Sequence, residues 1–215
     1  MTEADFPLLS LIITIPLLGA LLAGSIRNVD VAKQIAFFTA LITFVLTACA
    51  TLLFDADKSG FQLVERYDWI PLLKIEYLVG VDGISVLFLP MTGLLTIITM
   101  LASWSAISHS SRFHFSLLLA LESVSIGVFC ALDTVLFFLF WELTLPRFFF
   151  LIGLWGIGSQ RRSAAMKYTL FMLAGGVTLL LAIIVLATNH AKQIGGQIPN
   201  DLTFSLPILL NTPLP

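Results

Sequence analysis

Six runs of apolar residues, each about as long as a helix that crosses a bilayer, dominate this sequence of 215 residues. A helix needs about 20 apolar residues to cross the hydrocarbon core, where every backbone polar group must be bonded within the chain. The predicted spans lie at about 6–24, 32–54, 84–104, 114–132, 134–156 and 164–188. Hydrophobic residues make up 58% of the chain and charged residues 11%, so we predict an all-α integral membrane protein.

These runs divide the chain into four predicted parts. Glu3 and Asp5 stand where a secretory signal has basic residues, so the first run is predicted to be an uncleaved span. The parts are the first two spans at 1–54, a surface hairpin loop at 55–83, spans 3 to 6 at 84–188, and a loop at 189–215. The last part is rich in Gly and Pro and ends on Pro-Leu-Pro, so we expect a truncated chain whose loop leads into further sequence.

Between spans 2 and 3, polar residues alternate with aromatic or β-branched ones in FQLVERYDW and LLKIEYLV. Alternation of this kind is typical of β-strands, so we predict a small extramembrane β-hairpin. Tyr67, Trp69 and Tyr77 suit the headgroup region of the lipid. Basic residues are modestly enriched in the loops opposite this hairpin, which predicts that both termini lie on the periplasmic or lumenal side. The basic residues in those loops are Arg27, Lys33, Arg112, Arg161 and Arg162.

The polar residues argue against several functions. A net charge of −2 without a long basic run disfavours a nucleic-acid partner, because phosphate binding needs clustered Lys and Arg. Cys49 and Cys130 lie inside apolar runs, which predicts buried thiols rather than a disulfide framework or a metal site. The sequence has no Gly-rich phosphate loop, nucleophile elbow or zinc-ligand pattern. His109, His114 and His190 stand at span ends, where a polar boundary role is favoured over proton entry.

Four ionisable residues, Glu122, Glu142, Arg147 and Lys167, fall inside spans 4 to 6. A charge at the centre of a membrane helix costs about 2.5–3.5 kcal/mol on insertion scales, so each is a candidate functional residue. Spans 4 and 5 join at the short turn ALDT and must be antiparallel neighbours. Counted from Asp133, Glu122 and Glu142 lie roughly 16 and 14 Å from that turn, near the midplane of a core about 30 Å thick.

Each of the four has a structural alternative. Glu142 and Glu122 act either as proton-relay groups or as hydrogen-bonded contacts between helices. Pro146 removes the helix hydrogen bond to the carbonyl of Glu142, which invites water or a polar side chain beside it. Arg147 either extends to the inner face or pairs with a glutamate. Lys167 either extends to the membrane surface or serves as a cation facing Glu142.

Four segments of the sequence carry a family resemblance: VGVDGISVLFLPMTGLL, GVFCALDTVLFFLFWEL, FFFLIGLWG and RRSAAMKYTLF. Together they resemble the antiporter-like proton-pumping subunits of respiratory complex I and its photosynthetic relatives. The M type, known as chain 4 in cyanobacteria and chloroplasts, is the most similar. FPLLSLIITIPLLGALL and VERYDWIP fit the same type, so the resemblance extends over nearly all of the chain.

This resemblance implies a longer protein with two inverted helix repeats, of which the chain is the amino-terminal part. It implies that Glu142 is the channel glutamate, that Lys167 is the helix 6 lysine, and that Glu122 matches a glutamate of many M-type members. It implies a non-redox subunit of an NAD(P)H- or ferredoxin:quinone oxidoreductase, without a cofactor of its own. Quinone and iron–sulfur centres are expected in partner subunits. The implied partners are other membrane subunits, including neighbouring antiporter-like ones, in a bacterial inner membrane or a thylakoid membrane.

Two departures keep other functions open. Relatives usually have proline at the position of Arg147, whereas here Pro146 comes one residue earlier. The helix 7 lysine that pairs with the channel glutamate is expected beyond Pro215. A non-conducting structural membrane module, truncated or split, therefore stays open. So does a subunit of a cation/proton antiporter or of a membrane-bound hydrogenase.

Overall fold

The computed structural model describes residues 6–196, 198 and 201–212. Within these residues, six helices are long and apolar enough to cross a membrane. They are α1 (Leu8–Ser25), α2 (Val29–Leu53), α3 (Ser85–Ala106), α4 (Ser111–Cys130), α5 (Thr134–Trp155) and α6 (Arg161–Gln193). The predicted all-α membrane fold with six spans is confirmed. Helix α6 extends beyond its predicted run at both ends, and a short helix α7 (Leu206–Leu209) forms where the sequence predicted a loop.

The predicted hairpin is present between α2 and α3. Its antiparallel strands are β1 (Gln62–Ile70) and β2 (Ile75–Val81), and Tyr67 pairs with Tyr77 across them. One face of β2 is apolar and packs on the ends of α1 and α4, which explains why Val79 is fully buried. Tyr67 stays 54% exposed, as expected of a ring that meets the headgroup region. The side of the bundle that carries these strands is called the hairpin side below.

Small residues and hydroxyls bring the helices close together. Helix α2 presents a buried stripe of small side chains at spacings of three or four residues. The stripe consists of Ala32, Ala36, Ala40, Thr43, Thr47 and Ala50. On α4, Ser116 and Ser123 donate hydrogen bonds to the carbonyls of Ala20 and Ile13 on α1, at 2.7 and 2.6 Å. Such hydrogen bonds between helices stabilise bundles in a bilayer, where apolar burial alone does not distinguish protein from lipid.

Helices α1, α3 and α5 begin on the hairpin side, and a carboxylate binds the N-terminus of each. Glu65 of β1 accepts a hydrogen bond from the backbone of Leu9 in α1 at 2.7 Å. Asp82 accepts one from the backbone of Ser85 in α3 at 2.6 Å. Asp133 accepts from the first two backbone N–H groups that follow Thr134, at 2.9 and 3.0 Å. Negative charge is favourable there because the first N–H groups of a helix are unpaired and its dipole is positive at that end.

Cations bind helix C-termini on the opposite side. Lys33 of α2 donates to the carbonyl of Trp104 near the end of α3, at 2.7 Å. Arg112 of α4 donates to the carbonyl of Ile26, just after α1, at 3.0 Å. These are two of the basic residues that the sequence places opposite the hairpin, and here they also satisfy exposed helix carbonyls.

Both ends of the described chain lie on the hairpin side. The start of α1 is bound by Glu65, and the segment before α7 returns to the turn between α4 and α5. There the backbone N–H of Thr134 donates to the carbonyl of Phe204 at 2.8 Å. Six spans require this arrangement, because an even number of crossings returns a chain to the side where it started.

Candidate functional site

Glu142 lies in the seam between α5 and α6. These two helices are antiparallel. At the end of the seam away from the hairpin they pack through small residues, and a Cβ added to Gly153 would lie 3.6 Å from the Cβ of Ala165. Further along the seam, the carboxylate of Glu142 contacts the backbone of Gly176. Its Oε1 atom is buried and accepts no hydrogen bond from the described residues. A carboxyl group in this state needs a proton or a cation, because a bare buried charge is costly.

Lys167 does not reach this carboxylate. It lies on α6 nine positions before Gly176, which corresponds to about 13 Å along the axis and about half a turn around it. Its side chain is exposed, and none of the ion pairs among the described residues joins it to Glu142. A direct pair would require one of the two helices to move or rotate.

Arg147 binds its own helix. Its guanidinium donates to the carbonyl of Leu143, one turn back toward the middle of α5, while its Nε atom is buried without a partner among the described residues. The side chain therefore follows the usual direction of helix side chains toward the N-terminus. It does not extend to the inner face, and it pairs with no glutamate among the described residues. Helix α5 continues without interruption through Pro146.

Glu122 lines a groove between α3 and α4. The residue is 1% exposed, and neither of its carboxyl oxygens has a hydrogen-bond partner among the described residues. The groove has a volume of about 350 Å³. Its hydroxyl-bearing lining residues are Thr92, Thr96, Thr99 and Ser125. Phe88 and Phe129 stack at 4.9 Å and narrow the groove toward the hairpin side.

The hydroxyls of this groove act mainly as acceptors. Thr92, Thr96 and Thr99 each donate to the backbone carbonyl four residues earlier, at 2.7, 3.0 and 2.7 Å. Their oxygens remain free to accept, as do the oxygens of Glu122 when it is ionised. These oxygens can accept hydrogen bonds from water, while most of the surface of the groove is apolar and includes Met91, Leu95 and Leu121.

Glu122 and Glu142 lie at similar depth but face different helices. Glu122 faces α3 across the groove, whereas Glu142 faces α6 across the seam. Between α4 and α5 the packing is apolar and tight, since a Cβ added to Gly127 would overlap the ring of Phe140. The structure thus does not bring the two carboxylates together, and any proton passing between them needs an intermediate.

The histidines lie away from both carboxylates. His114 is buried with its ring 4.8 Å from that of Trp155, and neither ring nitrogen is hydrogen-bonded within the described residues. His190 shares a hydrogen bond of 2.6 Å with Thr212 near the end of α6. His109 is exposed. In the part of the chain that the structure describes, no cluster of His, Cys, Asp and Glu side chains has a geometry suited to a metal ion.

Two features of the site were missed by reasoning from the sequence. The threonines of α3 recur at i, i+4 and i+7, a spacing that puts them on one helix face, but their relation to Glu122 depends on which face α4 presents. Gly176 stood out only as one of two adjacent glycines in an apolar run, and its contact with Glu142 depends on the pairing of α5 with α6.

The segment that forms α5 and α6 matches a known family. Residues 131–197, which include Glu142, Arg147 and Lys167, match the model described as NADH:quinone oxidoreductase/Mrp antiporter. A chain of the structure "Respiratory complex I from Thermus thermophilus with bound NADH" has the same fold, with a TM-score of 0.77 and 22% identity. That match covers 96% of this chain and 40% of the other. In its fold and in residues 131–197, the chain is thus similar to antiporter-like membrane subunits.

Curated relatives identify its type. The chain is 37% identical over 188 residues to the NAD(P)H-quinone oxidoreductase chain 4 3 of Picosynechococcus sp., a match to 86% of this chain and 34% of the relative. It is 33% identical over 219 aligned positions to the NADH-quinone oxidoreductase subunit M of Rickettsia typhi, a match to 98% of this chain and 42% of the relative. The chain is therefore a relative of the M-type subunits, and the resemblance seen in its sequence is confirmed. It spans less than half the length of the relatives it matches.

Proposed function

We propose that the chain is the amino-terminal part of a proton-translocating membrane subunit in a complex I-type quinone oxidoreductase, with Glu142 as the proton carrier. One observation carries the proposal: the carboxylate of Glu142, near the middle of α5, lies in a helix seam with one oxygen buried and unbonded among the described residues. The matching family model and the M-type relatives support it.

The chemistry follows from the two states of this carboxyl group. Neutral glutamic acid is tolerated in a low-dielectric seam, whereas the ionised form needs a nearby cation or water. A cation that approaches Glu142 favours release of its proton, and withdrawal of that cation favours uptake. Alternation between these states, coupled to access from opposite sides, would move one proton per cycle.

The other charged residues of spans 4 to 6 take secondary roles in this proposal. Lys167 lies too far from Glu142 for direct pairing and acts through water or through a movement of α6. Glu122 receives protons from water in its groove, which the Phe88–Phe129 stack narrows on the hairpin side. Arg147 holds the carbonyl of Leu143 and adds positive charge to α5.

Partners and location follow from the relatives. Their names describe subunits of NADH- or NAD(P)H-quinone oxidoreductases, so we infer neighbouring membrane subunits for this chain and quinone and iron–sulfur chemistry in other subunits. We infer an energy-transducing membrane, with the hairpin side periplasmic or lumenal. The basic residues Arg27, Lys33 and Arg112 then lie on the inner side, where positive charge is enriched.

The test is the substitution Glu142→Gln in the whole complex. Glutamine keeps the size and hydrogen-bonding capacity of the side chain but carries no titrating proton. We expect normal assembly, and proton pumping into membrane vesicles per electron transferred to quinone should be lost. Glu142→Asp is the matched control, because it keeps the carboxyl group and should retain part of the pumping. Normal pumping by the glutamine variant would contradict the proposal.

A structural module that conducts no protons is the second candidate. The positions of Lys167 and Arg147 favour it, because neither cation pairs with Glu142 among the described residues. This candidate predicts that Glu142→Gln changes only the yield of assembled complex. A subunit of a cation/proton antiporter or hydrogenase is a further alternative, since the family model also names Mrp antiporters. Sodium-dependent proton uptake in vesicles without quinone would favour it.

A further inference from the structure

Gly176 is the residue on α6 that meets the carboxylate of Glu142. The pairing of the two helices is regular: Gly153 lies beside Ala165 toward one end of the seam, and Val135 packs against the cluster that contains Ile183 toward the other. Glu142 and Gly176 occupy the matching position between these contacts. The carboxylate therefore stands in a row of close helix contacts, where α5 and α6 leave little room for a polar group.

A side chain at position 176 cannot coexist with the observed carboxylate. A Cβ added to Gly176 would fall on Oε1 of Glu142 and would lie 2.9 Å from its Cδ and 3.4 Å from Oε2. Gly176 is buried, whereas Glu142 is only partly buried, so a side chain at position 176 would force the flexible Glu142 side chain to turn away from α6. The preceding residue, Gly175, behaves differently, since a Cβ there would meet nothing within 4 Å. The two adjacent glycines of α6 thus have different surroundings.

We infer that Gly176 is a positioning residue that sets where the Glu142 carboxylate lies in the seam. This inference rests on the proposed function for its effect on pumping, but its structural part stands independently. With hydrogen alone at position 176, the carboxylate contacts the α6 backbone. With a methyl group there, it must turn out of the seam or the helices must separate. A displacement of about 1 Å at a reacting group can reduce a rate by about 100-fold.

The test compares Gly176→Ala with Gly175→Ala in the whole complex. Both substitutions replace a helix glycine by alanine and change the intrinsic helix preference equally. We expect pumping by G176A to fall by at least about tenfold, because the carboxylate is displaced, while G175A pumps like the wild type. The infrared stretching band of the Glu142 carboxyl group, identified by its loss in E142Q, should shift in G176A and not in G175A. Equal pumping and unshifted bands in both variants would overturn the inference.

A double variant keeps the test decisive where G176A fails to assemble. Glu142→Ala removes the group with which the new methyl collides, so E142A/G176A should assemble as well as E142A alone. Failure of the double variant to regain assembly would overturn the inference, because the glycine would then be needed for helix packing in general. This comparison of E142A with E142A/G176A measures assembly and does not depend on pumping. Normal pumping by E142Q would therefore refute the proposed function alone. The assembly of E142A/G176A would still decide whether Gly176 positions Glu142.

Discussion

Replacement of Glu65 should destabilise the helix bundle far more than replacement of the other carboxylates in the hairpin. Helix α1 starts after Pro7 and has no side-chain cap from its own segment. Glu65, which is 5% exposed, fills that role from β1. It accepts backbone hydrogen bonds from Leu9 at 2.7 Å and Ser10 at 3.1 Å, and a third from the Ser10 hydroxyl. Tyr77 completes the group, with its hydroxyl 2.9 Å from that of Ser10.

The size of the effect follows from these bonds. Loss of an N-cap costs about 0.5–2 kcal/mol, and a hydrogen bond to a charged group contributes about 1.5–3 kcal/mol. Because the three bonds share one carboxylate, their contributions do not add fully, and we expect Glu65→Ala to cost about 3 kcal/mol. Glu65→Gln should cost about half as much, since its one carbonyl oxygen can still accept from Leu9. Burial raises the pKa of Tyr77, so its hydroxyl stays protonated near pH 7 in all variants.

The measurement is unfolding of the purified full-length subunit in mixed lipid and detergent micelles, followed by circular dichroism as the SDS fraction rises. Asp68→Ala is the matched control, because Asp68 is an exposed carboxylate on the same strand. It should change the free energy of unfolding by less than about 0.5 kcal/mol. Equal stabilities of the Glu65 and Asp68 variants would refute the capping role of Glu65.

Two further predictions concern charged residues at other helix ends. Partial burial raises the pKa of Asp82, but hydrogen bonds from the start of α3 outweigh this and hold the pKa below its usual value. The stabilisation by Asp82 should therefore be complete above about pH 5 and be lost as the pH falls below about 4, so that Asp82→Ala and the wild type differ less in unfolding at pH 3 than at pH 7. Lys33→Met should lower the free energy of unfolding by about 1–2 kcal/mol. It removes the hydrogen-bond donor to the Trp104 carbonyl and also the cation that lies 5.9 Å from the centre of the Trp104 ring. Lys33→Arg should retain most of that stability, and a loss equal to that of the methionine variant would contradict the role of the charge.

The elements of this fold were predictable because each depends on short stretches of sequence. Apolar runs of about 20 residues define spans without reference to their neighbours, and alternation defines the hairpin. The similar level of Glu122 and Glu142 along the bundle also followed from counting, since α4 ends and α5 begins at the turn that contains Asp133. The neighbour that each residue faces could not be predicted in this way. The rotation of a membrane helix about its axis is set by the helices around it, and its mean hydropathy carries no information about that rotation.

The acidic residues of the hairpin illustrate the same limit. In the sequence, Glu65, Asp68 and Glu76 look like equivalent charges in a surface loop. In the structure, Glu65 is buried against α1, Asp68 is exposed, and Glu76 pairs with Arg66 at 3.1 Å. The difference arises from a contact between residues more than 50 positions apart in the chain, which no local pattern encodes. Arg147 is similar, because its position relative to Leu143 depends on a side-chain conformation.

Two sets of charged side chains therefore have different physical roles. Those at helix ends, such as Glu65, Asp133 and Lys33, are hydrogen-bonded to backbone groups of the described chain and hold helices in place. In the middle of spans, both carboxyl oxygens of Glu122 and one of Glu142 are buried without partners among the described residues. Buried polar atoms without partners are costly, and stability alone gives no reason to keep them at mid-membrane depth. A group that must gain and lose a proton has such a reason, because a permanent partner would hold it in one state.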